Sequence, residues 1–236
     1  MKAILKITAV LLLFLSTSCL VNGIKGNGNV ITQSRIISSD FTEIKVSQGI
    51  EVSLTMGKET SLSLEADENL HDLIITEVED GVLNIYSEDN IWKSTSRKIY
   101  LTAKEIDKIK ASSGAEVISE NTIRADDFEV NLSSGSSVRL MLNVSDLSCD
   151  TSSGSSARLK GVAGNFIANS SSGSNIKAKE LAVKTCNADV SSGASIKVNV
   201  SDDLDAEASS GGNIKYIGNP KTVNKNSSSG GSIRGS

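Results

Sequence analysis

Four carboxylates crowd one short stretch, Asp202, Asp203, Asp205 and Glu207. Paired carboxylates about 5–10 Å apart across a cleft can cleave a glycosidic bond. Strand alternation instead puts Asp205 and Glu207 on one outward face and leaves Asp202 and Asp203 in a corner, the arrangement of a solvated acidic patch. His71 is the only histidine. Nothing marks out a serine or cysteine as its nucleophilic partner, so it reads as a surface residue and no catalytic residue is expected. No metal site or cofactor is expected either. Calcium-binding nonapeptide solenoids need an aspartate in each glycine-rich turn, and here the turns carry serine. The Gly26-x-Gly28 pair is not followed by the βα unit of a dinucleotide site.

One spacing does suggest binding chemistry. Arg139, Arg158, Lys177, Lys197, Lys215 and Arg234 recur once per repeat, always four residues after the glycine of a Ser-Ser-Gly tripeptide. Stacked in a sheet, such like charges repel, so composition alone does not account for the row. It is the candidate strip for an extended anionic partner: an acidic glycan, a lipopolysaccharide core or the acidic face of a protein. Its structural alternative is a row of long stems that cover the sheet and keep flat strands from aggregating.

The row exists because the tripeptide repeats. Its glycines are Gly114, Gly135, Gly154, Gly173, Gly193, Gly211 and Gly230, spaced by 21, 19, 19, 20, 18 and 19 residues, with a degenerate earlier turn at Gly49. This is a solenoid period, and the uneven spacing argues against the rigid 18-residue coils of hexapeptide-repeat acyltransferases. Three residues after each glycine lie Val117, Val138, Ala157, Ile176, Ile196, Ile214 and Ile233, and seven before lie Phe128, Leu147, Phe166, Cys186, Leu204 and Val223. Alternation on both sides predicts two short strands per coil, joined at a tight Ser-Ser-Gly corner where glycine supplies positive φ and leaves room for close stacking. The opposite corner absorbs the length variation and is expected to be exposed and tolerant, Gly164 included. Cys149 and Cys186 fall on interior rows two coils apart, about 10 Å, too far for a disulfide. Asp150, Asp189, Glu207, Glu129 and Asp205 fall on another face than the cations, which would make the solenoid electrostatically two-sided. No long helical period occurs; Asp67–Asp72 allows one turn, and Glu79-Asp80-Gly81 reads as a hairpin turn.

Residues 1–18 carry Lys2 and Lys6, the apolar run Ala9–Leu15 and small residues, and read as a signal peptide too short to span a bilayer. Leu15-Ser16-Thr17-Ser18-Cys19 resembles a lipobox, which makes Cys19 the expected lipidation site. Residues 19–29 then form a flexible tether, 30–105 an N-terminal β part with the first degenerate coil, and 106–236 the repeat solenoid. Loss of residues 1–18 takes the formal charge from −4 to −6, which gives no drive toward nucleic acid. Membrane contact is expected through the lipid anchor only. The expected location is the outer membrane, facing the surface or the periplasm. The segment after Cys19, Leu20-Val21-Asn22-Gly23-Ile24-Lys25, lacks the acidic run that surface-export signals resemble.

The lipobox, the Gly-x-Gly-Asn-Val opening at Gly26, the Phe41–Val52 block with its near copy Ile106–Val117, the Glu65–Leu70 segment and the Ser-Ser-Gly array resemble, in their order, the family of the putative auto-transporter adhesin, head GIN domain. The resemblance spans about Gly26 to Ser236. It implies an all-β, right-handed, single-stranded parallel β-helix, pectate-lyase-like in shape, with no known catalytic site and an inferred adhesive role. The expected function is therefore a non-catalytic, lipid-anchored envelope binding protein. The alternatives are a carbohydrate-active enzyme, since β-helices often carry lyase or hydrolase sites, and a structural envelope spacer.

Overall fold

The computed structural model describes residues 23–37 and 39–236. Cys19 and the signal segment lie outside them. Strands β1 (Ile24–Lys25) and β2 (Val30–Arg35) precede β3 (Glu43–Val46) and β4 (Glu51–Met56), which flank the Gly49 turn. β5 (Ser61–Asp67) leads through a 3-10 turn, Glu68–Leu70, to the hairpin β6 (Ile74–Glu79) and β7 (Val82–Ser87), then to β8 (Ile91–Lys93) and β9 (Arg97–Ala103). The coils follow as β10 (Lys108–Ala111), β11 (Glu116–Leu132), β12 (Ser137–Thr151), β13 (Ser156–Ser170), β14 (Asn175–Val190), β15 (Ser195–Ala208), β16 (Asn213–Ile217), β17 (Thr222–Ser227) and β18 (Ser232–Gly235).

From β10 to β18 every pairing is parallel and each coil lies on the one before it, so the array is a parallel β-solenoid. The expectation of two short strands per coil needs correction. Between successive Ser-Ser-Gly turns from Gly114 to Gly211 the backbone runs as a single strand, β11 to β15, that bends midway, whereas the coil from Gly211 to Gly230 keeps two short strands, β16 and β17. In β13 the bend shows as Lys160, Gly161 and Val162, all exposed in succession. Alternation and register slip together there: between Ile118 and Thr122, Arg158 and Lys160, and Ala178 and Ala182. A bulge admits extra residues without disturbing the flanking ladders, which is how coils of unequal length stay in register.

The core is one continuous ladder. Val117, Val138, Ala157, Ile176, Ile196 and Ile214 are buried, as are Phe128, Leu147, Phe166, Cys186 and Leu204 in the facing row. Each fully buried large apolar side chain among them stabilises the fold by about 1.5–3 kcal/mol. Near the turns the interior narrows mostly to serine, threonine and alanine, with Leu132 and Val190 as the larger members. Buried Ser136, Ser155 and Ser174 donate their hydroxyls to the carbonyls of Ala111, Leu132 and Thr151 in earlier coils, at 2.8, 3.2 and 2.9 Å. A polar atom thus enters the core only with its partner supplied.

The turns are tighter in backbone angle than a lone glycine requires. In Ser171-Ser172-Gly173-Ser174, φ is 51° at Ser172 and 70° at Gly173, and the Ser174 N–H bonds the Ser171 carbonyl at 3.1 Å. Two successive left-handed residues closed by this bond make a type I′ turn. The glycine does not sit in a crowded stack: a Cβ on Gly173 would meet nothing within 4 Å. The glycines of the other corner are crowded, so that corner is not tolerant at these positions. A Cβ on Gly164 would lie 2.6 Å from the Ser145 carbonyl oxygen, and one on Gly161, where φ is 111°, would collide with that of Leu142.

At the N-terminal end parallel stacking gives way to antiparallel pairing. β3 pairs with β7, which turns back onto β6 through Asp80 and Gly81, both at positive φ. β4 pairs with β9, then β5 and β2 follow antiparallel. The segment expected as a flexible tether is built into this cap from Gly23 onward. β1 pairs with β8, and the Asp67 carboxylate accepts N–H bonds from Gly28 at 2.6 Å, Thr95 at 2.7 Å and Ser96 at 3.2 Å. His71 is buried rather than on the surface. Its Nε2 faces the carbonyls of Ile31 and Ala66 at 3.2 and 3.3 Å, and Arg35 bonds the His71 carbonyl from outside. At the other end Lys225 is in register with the interior row of Val130, Cys149, Ala168, Ala188 and Ala206 but is exposed, with its Nζ 4.7 Å from the Tyr216 ring centre.

Two predictions follow from this geometry. Gly173→Ala should cost about 1–2 kcal/mol through its left-handed φ alone, whereas Gly161→Ala should cost at least about 3 kcal/mol because strain and backbone collision add. Denaturant melts would show the opposite order if the Ser-Ser-Gly corner were the crowded one. Burial alone would raise the pKa of Asp67, but the N–H groups of Thr95, Gly28 and Ser96 outweigh it and hold the carboxyl below the ordinary range. Its contribution is therefore complete above the unfolded value of about 3.9 and is lost as pH falls through the lower native one. Asp67→Asn should cost about 1.5–3 kcal/mol at neutral pH, and the gap from the parent should close in acid.

Candidate ligand-binding strip

The residues three and five positions after each glycine point inward, so the residue between them must point out. The ladder register joins Arg139 to Arg158, Lys177, Lys197, Lys215 and Arg234 in turn, coil upon coil. All six are exposed. At about 4.8 Å per coil the row is about 24 Å long. It begins abruptly, since the preceding members of the same ladder are Ile118 and Ser53. Arg139 is the one member that forms an ion pair among the described residues, with Glu116 at 2.8 Å. Beside the cations runs a row of short hydrogen-bonding side chains, Ser137, Ser156, Asn175, Ser195, Asn213 and Ser232. On the other flank Lys160 bonds Glu180 at 3.0 Å, which holds that carboxyl below its ordinary range.

The contrasting face is less uniformly acidic than its sequence suggests. Lys45, Lys110, Asn131, Asp150, Asn169, Asp189 and Glu207 form one ladder, cationic at the N-terminal end and anionic at the other. Glu129 is neutralised by Lys108 at 2.6 Å. The Asn169 amide donates to Asp150 at 2.8 Å, so the polar side chains bond along the stack. An open groove of about 680 Å³ runs along this ladder beside the turn serines.

The carboxylates that could have suggested acid/base chemistry sit in separate ladders, with Asp203 between Thr185 and Thr222. Asp205 lies between Asn187 and Asn224 and Glu207 between Asp189 and Asn226 in their ladders. Asp202 bonds Lys221 at 2.6 Å, which lowers its pKa, whereas a general acid needs its own raised. Burial pushes the Cys149 thiol up, and that of Cys186 to about 12, so neither is a thiolate nucleophile at neutral pH. Among the described residues no group of three or more His, Cys, Asp or Glu side chains is placed to hold a metal ion. Sequence reasoning missed the serine and asparagine row beside the cations and the polar groove. Both show only when the rows are read in register as surfaces.

A parallel solenoid that carries aligned outward rows on a rigid backbone is a scaffold for presenting a surface. Residues 40–220 match the family described as putative auto-transporter adhesin, head GIN domain, and the chain belongs to that family. Solved structures share its fold. A putative adhesin from Bacteroides fragilis NCTC 9343 superposes with a TM-score of 0.84 at 21% identity, over 91% of this chain and 100% of its own. A protein from Parabacteroides distasonis ATCC 8503, described as a putative lipid binding protein, gives 0.73 at 25% identity, over 90% and 99%. A putative adhesin from Parabacteroides merdae ATCC 43184 gives 0.73 at 21%, over 90% and 98%. No curated protein matches the sequence.

If the row is maintained against its own repulsion, reversing one charge inside it should relieve strain. Lys177→Glu, flanked by Arg158 and Lys197, is expected to raise stability by about 0.5 kcal/mol in low salt, an effect that fades as salt is added. Thermal denaturation at two ionic strengths measures this.

Proposed function

We propose that this chain is a non-catalytic binding protein of the cell envelope, anchored through a lipid on Cys19, whose cation row holds an extended polyanion. The observation that carries the proposal is the register of Arg139, Arg158, Lys177, Lys197, Lys215 and Arg234, six like charges in line with one ion pair between them. The adjoining serine and asparagine row offers hydrogen bonds to hydroxyl and phosphate oxygens. The ligand class is an acidic glycan or the phosphorylated core of lipopolysaccharide. The second is consistent with the lipid binding description of one structural neighbour. The location we propose is the outer membrane, with the body facing either the surface, where a lipopolysaccharide core is presented, or the periplasm, which the lack of an acidic run after Cys19 favours and where an acidic glycan is the ligand.

Exposed cations each contribute little, so binding should be multivalent and steeply dependent on salt. Replacing Arg158, Lys197 and Arg234 together by Gln should abolish retention on a heparin column at low ionic strength. The thermal melt should hardly move. Equal retention of the parent and the triple variant, or no retention of the parent, would reduce the row to a solubilising face and favour the spacer reading.

A further inference from the structure

Trp92 is the only tryptophan of the chain and is 53% exposed, in a protein with 3% aromatic residues. It sits at the centre of β8, between buried Ile91 and exposed Lys93. The partner of β8 is β1, with Ile24 opposite Ile91 and Lys25 opposite Lys93. The Ile24 N–H bonds the Asn90 carbonyl at 2.7 Å and the Gly26 N–H bonds that of Lys93 at 2.8 Å. Gly23 lies against the same segment: a Cβ there would be 3.1 Å from the Trp92 backbone nitrogen. The backbone of Trp92 is therefore held beside the point where the chain enters the fold, and each of the two paired strands carries an exposed lysine, Lys25 and Lys93.

Four peptide steps separate Cys19 from Gly23, and a fully extended chain covers about 14 Å in four steps. A lipid on Cys19 would hold Gly23, and the Trp92 backbone beside it, within about that distance of the Cys19 backbone. The interfacial layer on each side of a bilayer is about 5–8 Å thick. Tryptophan is favoured there because its apolar rings and its N–H are satisfied together, and lysines beside it can extend to the headgroups. Residues 24–29 are bonded to β8, Asp67 and Asn69, so only the residues between Cys19 and Gly23 separate the cap from the anchor. We infer that Trp92, on a strand pair that also carries the exposed Lys25 and Lys93, marks the surface that docks on the phospholipid bilayer, so that the protein stands on its N-terminal cap. This rests on the proposed lipidation of Cys19. The anchor supplies affinity, and Trp92 sets orientation.

The chain provides its own probe and its own attachment point. Cys149 and Cys186 are buried, so Cys19 of the mature chain can be coupled selectively to a maleimide lipid in phosphatidylcholine vesicles. Emission from Trp92 should then shift to the blue and be quenched by dibrominated phosphatidylcholine. A control chain, Cys19→Ser with Ser236→Cys, coupled at its other end, should show neither change. No shift and no quenching with coupling at Cys19 would overturn the docking surface, and so would equal quenching in the two chains. Because the anchor is attached chemically, the result does not depend on whether cells lipidate Cys19; absence of fatty-acid labelling of Cys19 in cells would separately remove the anchoring reading.

Discussion

The structure depends on one backbone bond repeated at every turn. The glycine N–H of each coil donates to the carbonyl of the second turn serine in the next, from Gly114 to Ser134 at 3.0 Å through Gly211 to Ser229 at 3.2 Å. Gly49 begins the series by donating to Ser113 at 2.9 Å. These bonds line up because both central residues of every turn are left-handed, which swings the peptide between them parallel to the solenoid axis. A serine in that conformation costs about 1–2 kcal/mol relative to the ordinary helical region. The turn's own bond and the inter-coil bond, each worth about 1 kcal/mol, offset it. Once the ridge of turns is in register, the flanking rows have no freedom to slip by one residue, since a slip would exchange core for surface.

Much of this was legible. A tripeptide recurring every 18–21 residues dictates a solenoid, and rows such as Val117 to Ile233 assign the inward face because strand alternation leaves no other choice. The cation row could be read for the same reason, as the position between two apolar ones. What escaped was set by contacts between coils or within the cap. The open space around Gly173 and the crowding of Gly164 by Ser145 depend on how far one coil is offset from the next, which spacing does not encode. The burial of His71 follows from β2 crossing over β5, a pairing made by segments with no repeat signature. The neutralisation of Glu129 needed the neighbouring coil's Lys108.

The two ladders of polar side chains show how a regular stack handles charge. On one, amides separate the carboxylates from Asn131 to Asp189, so Asn169 can donate to Asp150 and repulsion there gives way to hydrogen bonding. On the other, six cations follow one another with Glu116 as the sole ion-pair partner among the described residues. The same backbone accommodates both, so the difference resides in the side chains alone. A scaffold whose stability comes from its interior rows can hold an unfavourable exterior row at a cost of only a few tenths of a kilocalorie per contact.

Lys225 stands exposed over the last described coil, in register with the row that alanine and cysteine fill elsewhere. A further layer of parallel strand laid there, from a second copy of the chain or from an unfolding neighbour, would have to dehydrate its ammonium group, at a cost of several kilocalories per mole. A charge so placed works against edge-to-edge growth, the hazard inherent in any open stack of parallel strands.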